Sequence, residues 1–342
     1  MARKQIFRIG IKNYPAAHGG VEAATYNFVQ ATKDKYDFTI FTVWDNPTVE
    51  DNEVDGVRVY QLEKGWFGRF RQIRNAVKDK GNTILHFHME IFILHAIVFS
   101  MLGYNVVSSI HGLSWHNPKM SWLMHACVWF VDVLGVNLVK RTIYVAKQNQ
   151  DTMRHYTLRK TYFIPNGSKM CPAINYAPDK DTVFIGRISI QKSILQIIES
   201  AERFKRRIDL YGPFDERETE YIANVKAALA ESTFCNYCGK LKPEEIYPTI
   251  SRYRYLLNAS PEEASPNAVI EAGACGLFLY LSDIPGHRNV SYPDVYYFPF
   301  GQITLPEYAT GSARSSANIA YHRDNLSIEK QISRYGEVYA SF

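Results

Sequence analysis

The sequence has little excess charge, few cysteines and no long apolar run that is free of ionisable residues. Charged residues make up 21% of its 342 residues and the formal net charge is +5, far below the Lys/Arg load of a nucleic-acid-binding protein. Five cysteines in a chain of this length do not indicate a disulfide-rich secreted protein. The opening MARKQIFRIGIK has too short an apolar run for a secretory signal peptide. We therefore expect no nucleic-acid partner, reduced thiols and a cytoplasmic location.

Two apolar stretches approach the length of a membrane span, 89–108 and 120–139. The first contains Glu90 and His95, and the second contains His125 and Asp132, all of which are costly in lipid. We interpret both stretches as buried helices and predict no transmembrane anchor.

A metal site is suggested only by the CxxC spacing of Cys235 and Cys238. A zinc site of this kind needs two further ligands at similar spacing, and the sequence offers no second pair. We therefore predict no bound metal.

The sequence does contain a regular alternation of strand-length and helix-length apolar patterns. Such alternation is typical of an α/β protein with doubly wound parallel sheets, and its length allows two domains with separate cores. The strand patterns are 6–11, 37–43, 57–62, 83–88, 106–112 and 142–146, then 182–188, 207–212, 233–239, 253–260 and 277–283. The helical patterns are 20–33, 67–80 and 119–139, then 191–205, 216–231, 243–251, 266–275 and a final amphipathic segment at 326–342.

The two sets predict two Rossmann-like domains with a linker near 165–181. In open α/β sheets, ligands bind at the carboxyl ends of strands, next to helix N-termini. The strongest such turn is NASPEEASPNAVIEAGACG, over 258–276. We predict that Ser265 caps the following helix and that Pro266 is its first residue. The amides near Asn267 and Ala268 would then face the turn as donors for a phosphate.

Two carboxylates, Glu263 and Glu271, flank that predicted helix start. They can accept hydrogen bonds from a sugar and from a ribose, both of which offer hydroxyl donors. The alternative is that Glu262 and Glu263 only favour the helix dipole and that Glu271 is a solvated helical residue. The segment alone leaves both interpretations open.

Cations follow the first strand of the second set, where Gly186-Arg187 precedes Lys192. At a strand end they can bind a diphosphate and stabilise its charge as it leaves. The alternative is a pair of surface cations without a role.

The first set offers weaker signals. Gly19-Gly20 opens a helix and permits close approach of the backbone to a ligand, although it is not a GxGxxG motif. His111 ends a strand and is followed by Gly112; it can orient or polarise a sugar, or be a structural histidine.

In this order, these motifs resemble the retaining glycosyltransferases of family 4 (group 1), which have the GT-B fold. The run EASPNAVIEAGACG is the most specific part, and the resemblance covers nearly the whole chain. The N-terminal half, through YPAAHGGVE and HGLSW, is similar to bacterial rhamnosyltransferase-type enzymes of surface-polysaccharide assembly. The motifs are Gly19-Gly20, His111-Gly112, Pro165-Asn166-Gly167, Gly186-Arg187 with Lys192, and Glu263 with Glu271.

The resemblance implies two Rossmann-like domains with parallel sheets facing across a cleft. Residues 1–168 would be the acceptor domain and 169–325 the donor domain, with 326–342 packing back on the first. It also implies a metal-independent, hexosyltransferase-type enzyme without a cofactor. Its partners would be a nucleotide-sugar donor and a glycan or lipid-linked acceptor, while the oligomeric state stays open.

The resemblance also assigns roles to residues. Arg187 and Lys192 would bind the donor diphosphate, Glu263 and His111 the transferred sugar, and Glu271 the ribose. The other donor-binding residues implied are Gly19, Gly20, Gly186, Tyr237, Gly239, Ser265, Pro266, Asn267 and Ala268.

Three departures from the family pattern leave the shape of the sugar pocket open. Ser193 stands where a glycine usually follows the lysine, and Ala264 stands where a glycine usually follows the glutamate. The Gly-x-Pro that commonly follows the helix is Gly276-Leu277-Phe278 here.

Segment 64–80 combines Trp66, Phe67 and Phe70 with basic residues that include Arg69, Arg71, Arg74 and Lys78. On a helix this pattern suits anionic lipid headgroups, so we predict a peripheral contact with the inner face of the cell membrane. The alternative is an ordinary helix packed on the sheet.

Two other functions remain open for the chain as a whole. One is a sugar-nucleotide epimerase or a phosphorylase of the same architecture, and the other is a non-catalytic binding subunit. The sequence does not specify the sugar, the nucleotide base or the acceptor.

Overall fold

The computed structural model divides into two compact units. The first holds Met1–Pro165 together with Gln331–Phe342, and the second holds Asn166–Lys330. The described residues are 3–15, 19–44, 53–88, 90–113, 115, 121–306 and 313–342. Residues 16–18 of the YPAAHGGVE motif, Ser114 of HGLSW and the predicted helix start at 119–120 lie outside them.

The first unit is built on a largely parallel sheet. Its described strands are β1 (Gln5–Ile11), β2 (Asp37–Thr42), β3 (Glu53–Val54), β4 (Val57–Gln61), β5 (Thr83–His88), β6 (Asn105–Ile110), β7 (Arg141–Tyr144) and β8 (Thr161–Phe163). Their spatial order is β3-β4-β2-β1-β5-β6-β7-β8. Within this described sheet, β3 and β4 pair antiparallel and the other neighbours pair parallel.

Helices cover this sheet. They are α1 (Gly20–Thr32), α2 (Trp66–Ala76), α3 (Ile93–Met101), α4 (Trp122–Leu138) and α5 (Lys147–Met153), with short 3-10 turns at Glu90–Phe92 and Arg154–Tyr156. Strands β1 and β5 are buried on both faces, as expected of a parallel sheet covered by helices, and this buried layer includes the polar residues Arg8, His86 and His88.

The apolar stretches 89–108 and 120–139 differ in structure from the two buried helices that were predicted. In the first, α3 is followed by strand β6, and one face of α3 is buried. In the second, α4 is buried only around Asp132, Gly135 and Val136, and its first half is exposed, with Trp122 80% exposed. The prediction of a buried helix is therefore wrong for that half. Among the described residues, the helices fall short of the combined length and hydropathy that crossing a membrane requires.

The second unit is built on a parallel sheet. Its described strands are β9 (Lys180–Ile185), β10 (Ile208–Tyr211), β11 (Cys235–Tyr237), β12 (Tyr253–Asn258), β13 (Phe278–Ser282) and β14 (Val295–Phe298), in the order β11-β10-β9-β12-β13-β14. Its helices are α6 (Ile194–Phe204), α7 (Thr219–Glu231), α8 (Ile246–Ile250), α9 (Asn267–Ala274), α10 (Pro285–Arg288) and α11 (Ser316–Tyr321), and a π-helical turn spans His322–Leu326.

The last helix, α12 (Ile328–Ala340), is the predicted amphipathic segment. Its residues from Gln331 onward belong to the first unit. Tyr335, Val338 and Tyr339 are buried in the core that also holds Phe28 of α1. The predicted apolar face is therefore the face that packs.

The differences from the predicted elements have local causes. Strands β3 and β8 are two and three residues long, too short to show an alternating pattern. Strand β14, VYYF, has no period-two alternation and was also missed. Helix α2 ends at Ala76 rather than at 80, because Asp79 accepts hydrogen bonds from the amides of Gly81 and Asn82 and forms a turn there.

Each sheet reverses its strand order at one point. The reversal lies between β1 and β5 in the first unit and between β9 and β12 in the second. The carboxyl ends of the strands at such a reversal are where open α/β sheets bind ligands. The predicted class, two α/β units with parallel sheets, is confirmed.

Candidate functional site

In the second unit, a lysine and a glutamate meet at the carboxyl ends of β9 and β12. The Lys192 ammonium donates a short hydrogen bond to Oε1 of Glu263. The same oxygen accepts from Oγ of Ser260 at 2.9 Å and from Nδ2 of Asn258 at 3.3 Å. The predicted cation and acid are therefore brought into direct contact at the point where the strand order reverses.

The environment keeps Glu263 ionised. Burial opposes ionisation of this carboxyl, but the charge and the hydrogen bond of Lys192 outweigh burial and lower its pKa. Helix α10 packs directly on the segment, since a Cβ on Gly286 would lie 1.9 Å from the backbone oxygen of Glu263. Glycine at that position lets the two segments approach.

Arg187 is oriented by an aspartate that the sequence analysis missed. Its Nη1 donates to Oδ2 of Asp215 at 3.2 Å, and the same carboxylate binds Arg217. The Arg217 hydrogen bond and then the Arg187 hydrogen bond hold the pKa of Asp215 below its usual range. The aspartate is buried while Arg187 is partly exposed, so the guanidinium is positioned and still accessible.

The turn between Arg187 and α6 explains one departure from the family pattern. A 3-10 turn over Ile190–Lys192 is followed by Ser193 in the left-handed conformation, with φ 54° and ψ 42°. Glycine adopts this conformation without steric cost and serine does not. The backbone shape that a glycine would provide is therefore kept despite Ser193.

The start of α9 differs from the prediction. Pro266 is the N-cap residue and the helix begins at Asn267, so Ser265 is not the cap. The Ser265 hydroxyl instead accepts a hydrogen bond at 2.9 Å from the backbone amide of Asn166, whose side chain donates to Oδ1 of Asn267 at 2.8 Å. The Ser265 hydroxyl is thus engaged by a distant segment, and the N-cap residue Pro266 makes no side-chain capping hydrogen bond.

Glu271 lies one turn into α9 and is partly buried. Burial raises the pKa of its carboxyl to about 7. Within the described part of the chain no side chain or backbone group donates a hydrogen bond to it. A carboxyl in that state is suited to accept hydrogen bonds from a ligand.

The end of β11 carries the predicted nucleobase segment. The Tyr237 ring lies 4.5 Å from the Phe214 ring, and its hydroxyl donates to the backbone oxygen of Gly212 at 2.9 Å. Gly239 has φ 86°, and its backbone oxygen accepts from the amide of Gly212. Together they give a partly exposed aromatic surface beside the end of β10.

In the first unit, Gly19 and Gly20 open α1. Gly19 is the N-cap residue with φ 103°, a conformation that favours glycine. The buried carboxylate of Glu22 follows it in the first turn and accepts a hydrogen bond from the amide of Lys12 at 3.3 Å. The glycine pair therefore lies, as predicted, in the turn after β1.

His111 directly follows β6 and is the partly exposed end of a buried polar chain. Its Nε2 lies 3.2 Å from Nδ1 of His88, and Nε2 of His88 lies 3.5 Å from Nη1 of Arg8. Nη2 of Arg8 donates to the Tyr339 hydroxyl at 3.4 Å, which lies 2.7 Å from Nδ1 of His86.

This chain fixes the tautomer of His111. An arginine can only donate, so Nε2 of His88 accepts and the proton of His88 resides on Nδ1. That proton is donated to Nε2 of His111, so His111 carries its own proton on Nδ1. Burial, followed by the charge of Arg8, lowers the pKa of His111 to about 4, and the ring is neutral at physiological pH. His111 can therefore donate a hydrogen bond without carrying charge.

Arg8 itself is buried without a carboxylate. No acidic side chain of the described residues lies within ion-pair distance, and its Nε has no hydrogen-bond partner. The guanidinium instead lies 4.4 Å from the centre of the Phe28 ring. An uncompensated buried cation lowers the pKa of each nearby histidine.

Asp215, Arg8 and His88 are site residues that were not predicted from the sequence. For His88 a signal existed: in TILHFH the two histidines are two residues apart on one strand and so share a face of the sheet. Asp215 and Arg8 carried no local signal.

Metal ligands are sparse in the described residues, which contain no cluster of three or more His, Cys, Asp or Glu side chains. Cys235 and Cys238 are both free thiols. The absence of a bound metal stays a prediction.

Residues 18–168 match the model of Glycosyltransferase Family 4, which bears out the resemblance stated from the sequence. No curated protein matches the chain.

Solved structures share the fold over the full length. Sucrose-phosphate synthase from Thermosynechococcus elongatus is 15% identical, with a TM-score of 0.80 and 99% of each chain covered. HepE of Anabaena in complex with UDP is 14% identical, with a TM-score of 0.79 over 99% of this chain and 100% of that one. A glycosyltransferase from Rickettsia africae is 15% identical, with a TM-score of 0.76 over 100% and 99% of the two chains. The predicted GT-B fold is confirmed by these likenesses.

Proposed function

We propose that this chain, whose residues 18–168 belong to Glycosyltransferase Family 4, transfers a sugar from a nucleotide-sugar donor with retention of anomeric configuration. The acceptor is a glycan or a lipid-linked glycan, and the process is surface-polysaccharide biosynthesis at the inner face of the cell membrane. The observation that carries the proposal is the contact of Lys192 with Glu263 at the strand-order reversal.

The charges of the second unit suit a diphosphate leaving group. As the bond between the anomeric carbon and the diphosphate oxygen breaks, negative charge develops on the diphosphate. Lys192 and the Arg187 guanidinium held by Asp215 neutralise that charge, and the first-turn amides of α9 are further donors for it. Cations and amides in these positions make a divalent metal unnecessary.

The remaining groups bind the donor through hydroxyls and the base. Glu271 accepts from the ribose, and Glu263 accepts from the transferred sugar while Lys192 turns to the phosphate. His111 donates from Nδ1 to a sugar oxygen, and Gly19-Gly20 allow backbone approach to the phosphates. Tyr237 and Gly239 contact the base. Since HepE has been solved with UDP and with UDP-glucose, uridine nucleotides are the first donors to test.

A two-stage experiment tests the proposal. A thermal-shift screen with UDP, GDP, dTDP, ADP and their sugars identifies the base, because a ligand that binds only the folded protein raises its melting temperature. Release of free sugar from the chosen donor is then measured for wild type and for Glu263→Ala. The matched control is Glu262→Ala, an exposed acid next to the same site.

We expect Glu263→Ala to lose donor cleavage and Glu262→Ala to keep it, with no effect of EDTA. Equal rates in both variants would refute the assignment of the site. Product analysis with and without acceptor separates a transferase from an epimerase or a phosphorylase, and NMR of the new linkage reports its anomeric configuration. If no nucleotide raises the melting temperature, the result favours the alternative of a non-catalytic binding subunit.

A further inference from the structure

Apart from His125, the first half of α4 carries apolar side chains, and most of them are exposed. Between Trp122 and Phe130 the helix carries no acidic residue, lysine or arginine. A helix that is hydrophobic all round normally belongs in a core or a membrane, and an exposed apolar patch marks an interaction site. We call its exposed residues the α4 surface: Trp122, Leu123, Met124, Cys127 and Phe130.

A basic segment is fixed beside this surface. The Trp129 ring packs edge-on against Tyr156 at 5.3 Å. The Asn137 side chain donates to the backbone oxygen of Tyr156 and accepts from the amide of Leu158, each at 2.9 Å. Leu158 is 97% exposed. No acidic residue occurs from 152 to 178, and the exposed basic residues of the segment are Arg154, Arg159 and Lys160.

We propose that the α4 surface and segment 154–160 form a docking site for the surface of an anionic phospholipid bilayer. Apolar side chains with tryptophan insert at the level of the headgroups, while arginine and lysine pair with anionic lipids. The proposal deepens the proposed function by naming the surface that contacts the membrane, and it rests on that function for the location but not for the transfer chemistry.

Charge favours a lipid bilayer over a second copy of this chain as the occupant. A symmetric pair of copies joined through the α4 surface would bring two like-charged basic segments to the same interface. A bilayer supplies both the apolar layer and the opposite charge. Helix α2 exposes less apolar surface to a membrane. Trp66 stacks on Phe70 and His95, and Phe70 stacks on Phe99. Phe67 is its exposed aromatic residue.

The test is flotation of the full chain with vesicles of phosphatidylcholine alone and of phosphatidylcholine with phosphatidylglycerol, without donor or acceptor. We expect binding to the anionic vesicles that weakens with salt. Leu123→Glu should reduce the partition coefficient by about tenfold or more, and Arg159→Glu with Lys160→Glu should also reduce it. Because Leu123 is exposed, its variant should keep the wild-type melting temperature.

The matched control is Phe300→Glu, which places the same charge on an exposed aromatic position of the second unit, and it should bind like wild type. Equal binding of Leu123→Glu and wild type would overturn the proposal. So would loss of binding in Phe67→Glu alone, or a concentration-dependent dimer that Leu123→Glu converts to monomer while vesicle binding stays absent. Since no sugar donor is present, failure here leaves the transferase assignment untouched.

Discussion

Glu271 gives the most direct test of the second unit, because its protonation couples the site to folding. Burial raises its pKa from 4.5 to about 7. At about 1.36 kcal/mol per pKa unit, this rise corresponds to about 3 kcal/mol. A raised carboxyl pKa contributes stability that is present below pH 4.5 and is lost as the pH rises through 7.

Glu271→Gln removes that dependence while keeping the size of the side chain. We expect the free energy of unfolding of the variant, relative to wild type, to rise by about 3 kcal/mol between pH 4.5 and pH 8. In a unit of this size this is roughly 10 °C in melting temperature. Urea unfolding at several pH values measures the difference, and the other titrating groups cancel between the two proteins.

The proposed role of Glu271 adds a second readout. Ribose hydroxyls donate to the ionised carboxylate, so nucleotide binding near pH 6 should release a proton from wild type and not from Glu271→Gln. Calorimetry in buffers of different ionisation enthalpy detects that proton. Parallel stability curves for the two proteins would refute the burial argument, whereas different curves without proton release would refute only the contact with ribose.

Three further outcomes follow from local geometry. Gly286→Ala should destabilise the second unit by about 2 kcal/mol or more in urea unfolding, because its Cβ would lie 1.9 Å from the backbone oxygen of Glu263; unchanged stability would contradict this. Ser193→Gly should stabilise it by about 1 kcal/mol by relieving a left-handed backbone, and a loss of melting temperature would count against that reason. Arg8→Met should turn His111 from a single Nδ1-protonated tautomer into a mixture in ¹⁵N NMR, and a spectrum like that of wild type would exclude the proposed relay.

The alternation of strands and helices could be predicted from sequence because the strands are short segments rich in β-branched and aromatic residues, separated by longer helical patterns. The apolar face of α12 could be predicted in the same way, since Tyr335 and Val338 recur at helical spacing and both are buried. Lys192 and Glu263 could each be predicted as site residues because each follows the carboxyl end of a strand, but their contact could not, since the strand order is not legible in the sequence.

The predictions that were wrong or absent concern residues whose contacts lie far away in the chain. Ser265 has the residue type and position of a cap, but Asn166, far away in the chain, takes its hydroxyl. The composition of α4 predicts burial, yet composition does not say whether anything covers a helix. Asp215 orients Arg187 from the end of a neighbouring strand, a relation that becomes visible only when the strand order is known.

The C-terminal helix has a consequence for how the protein is made. Tyr339 follows the whole second unit in the chain, yet it contacts Arg8 and His86 of the first unit. During synthesis the first unit therefore cannot complete its core until the second unit has been translated, and the surface that α12 covers stays exposed until then.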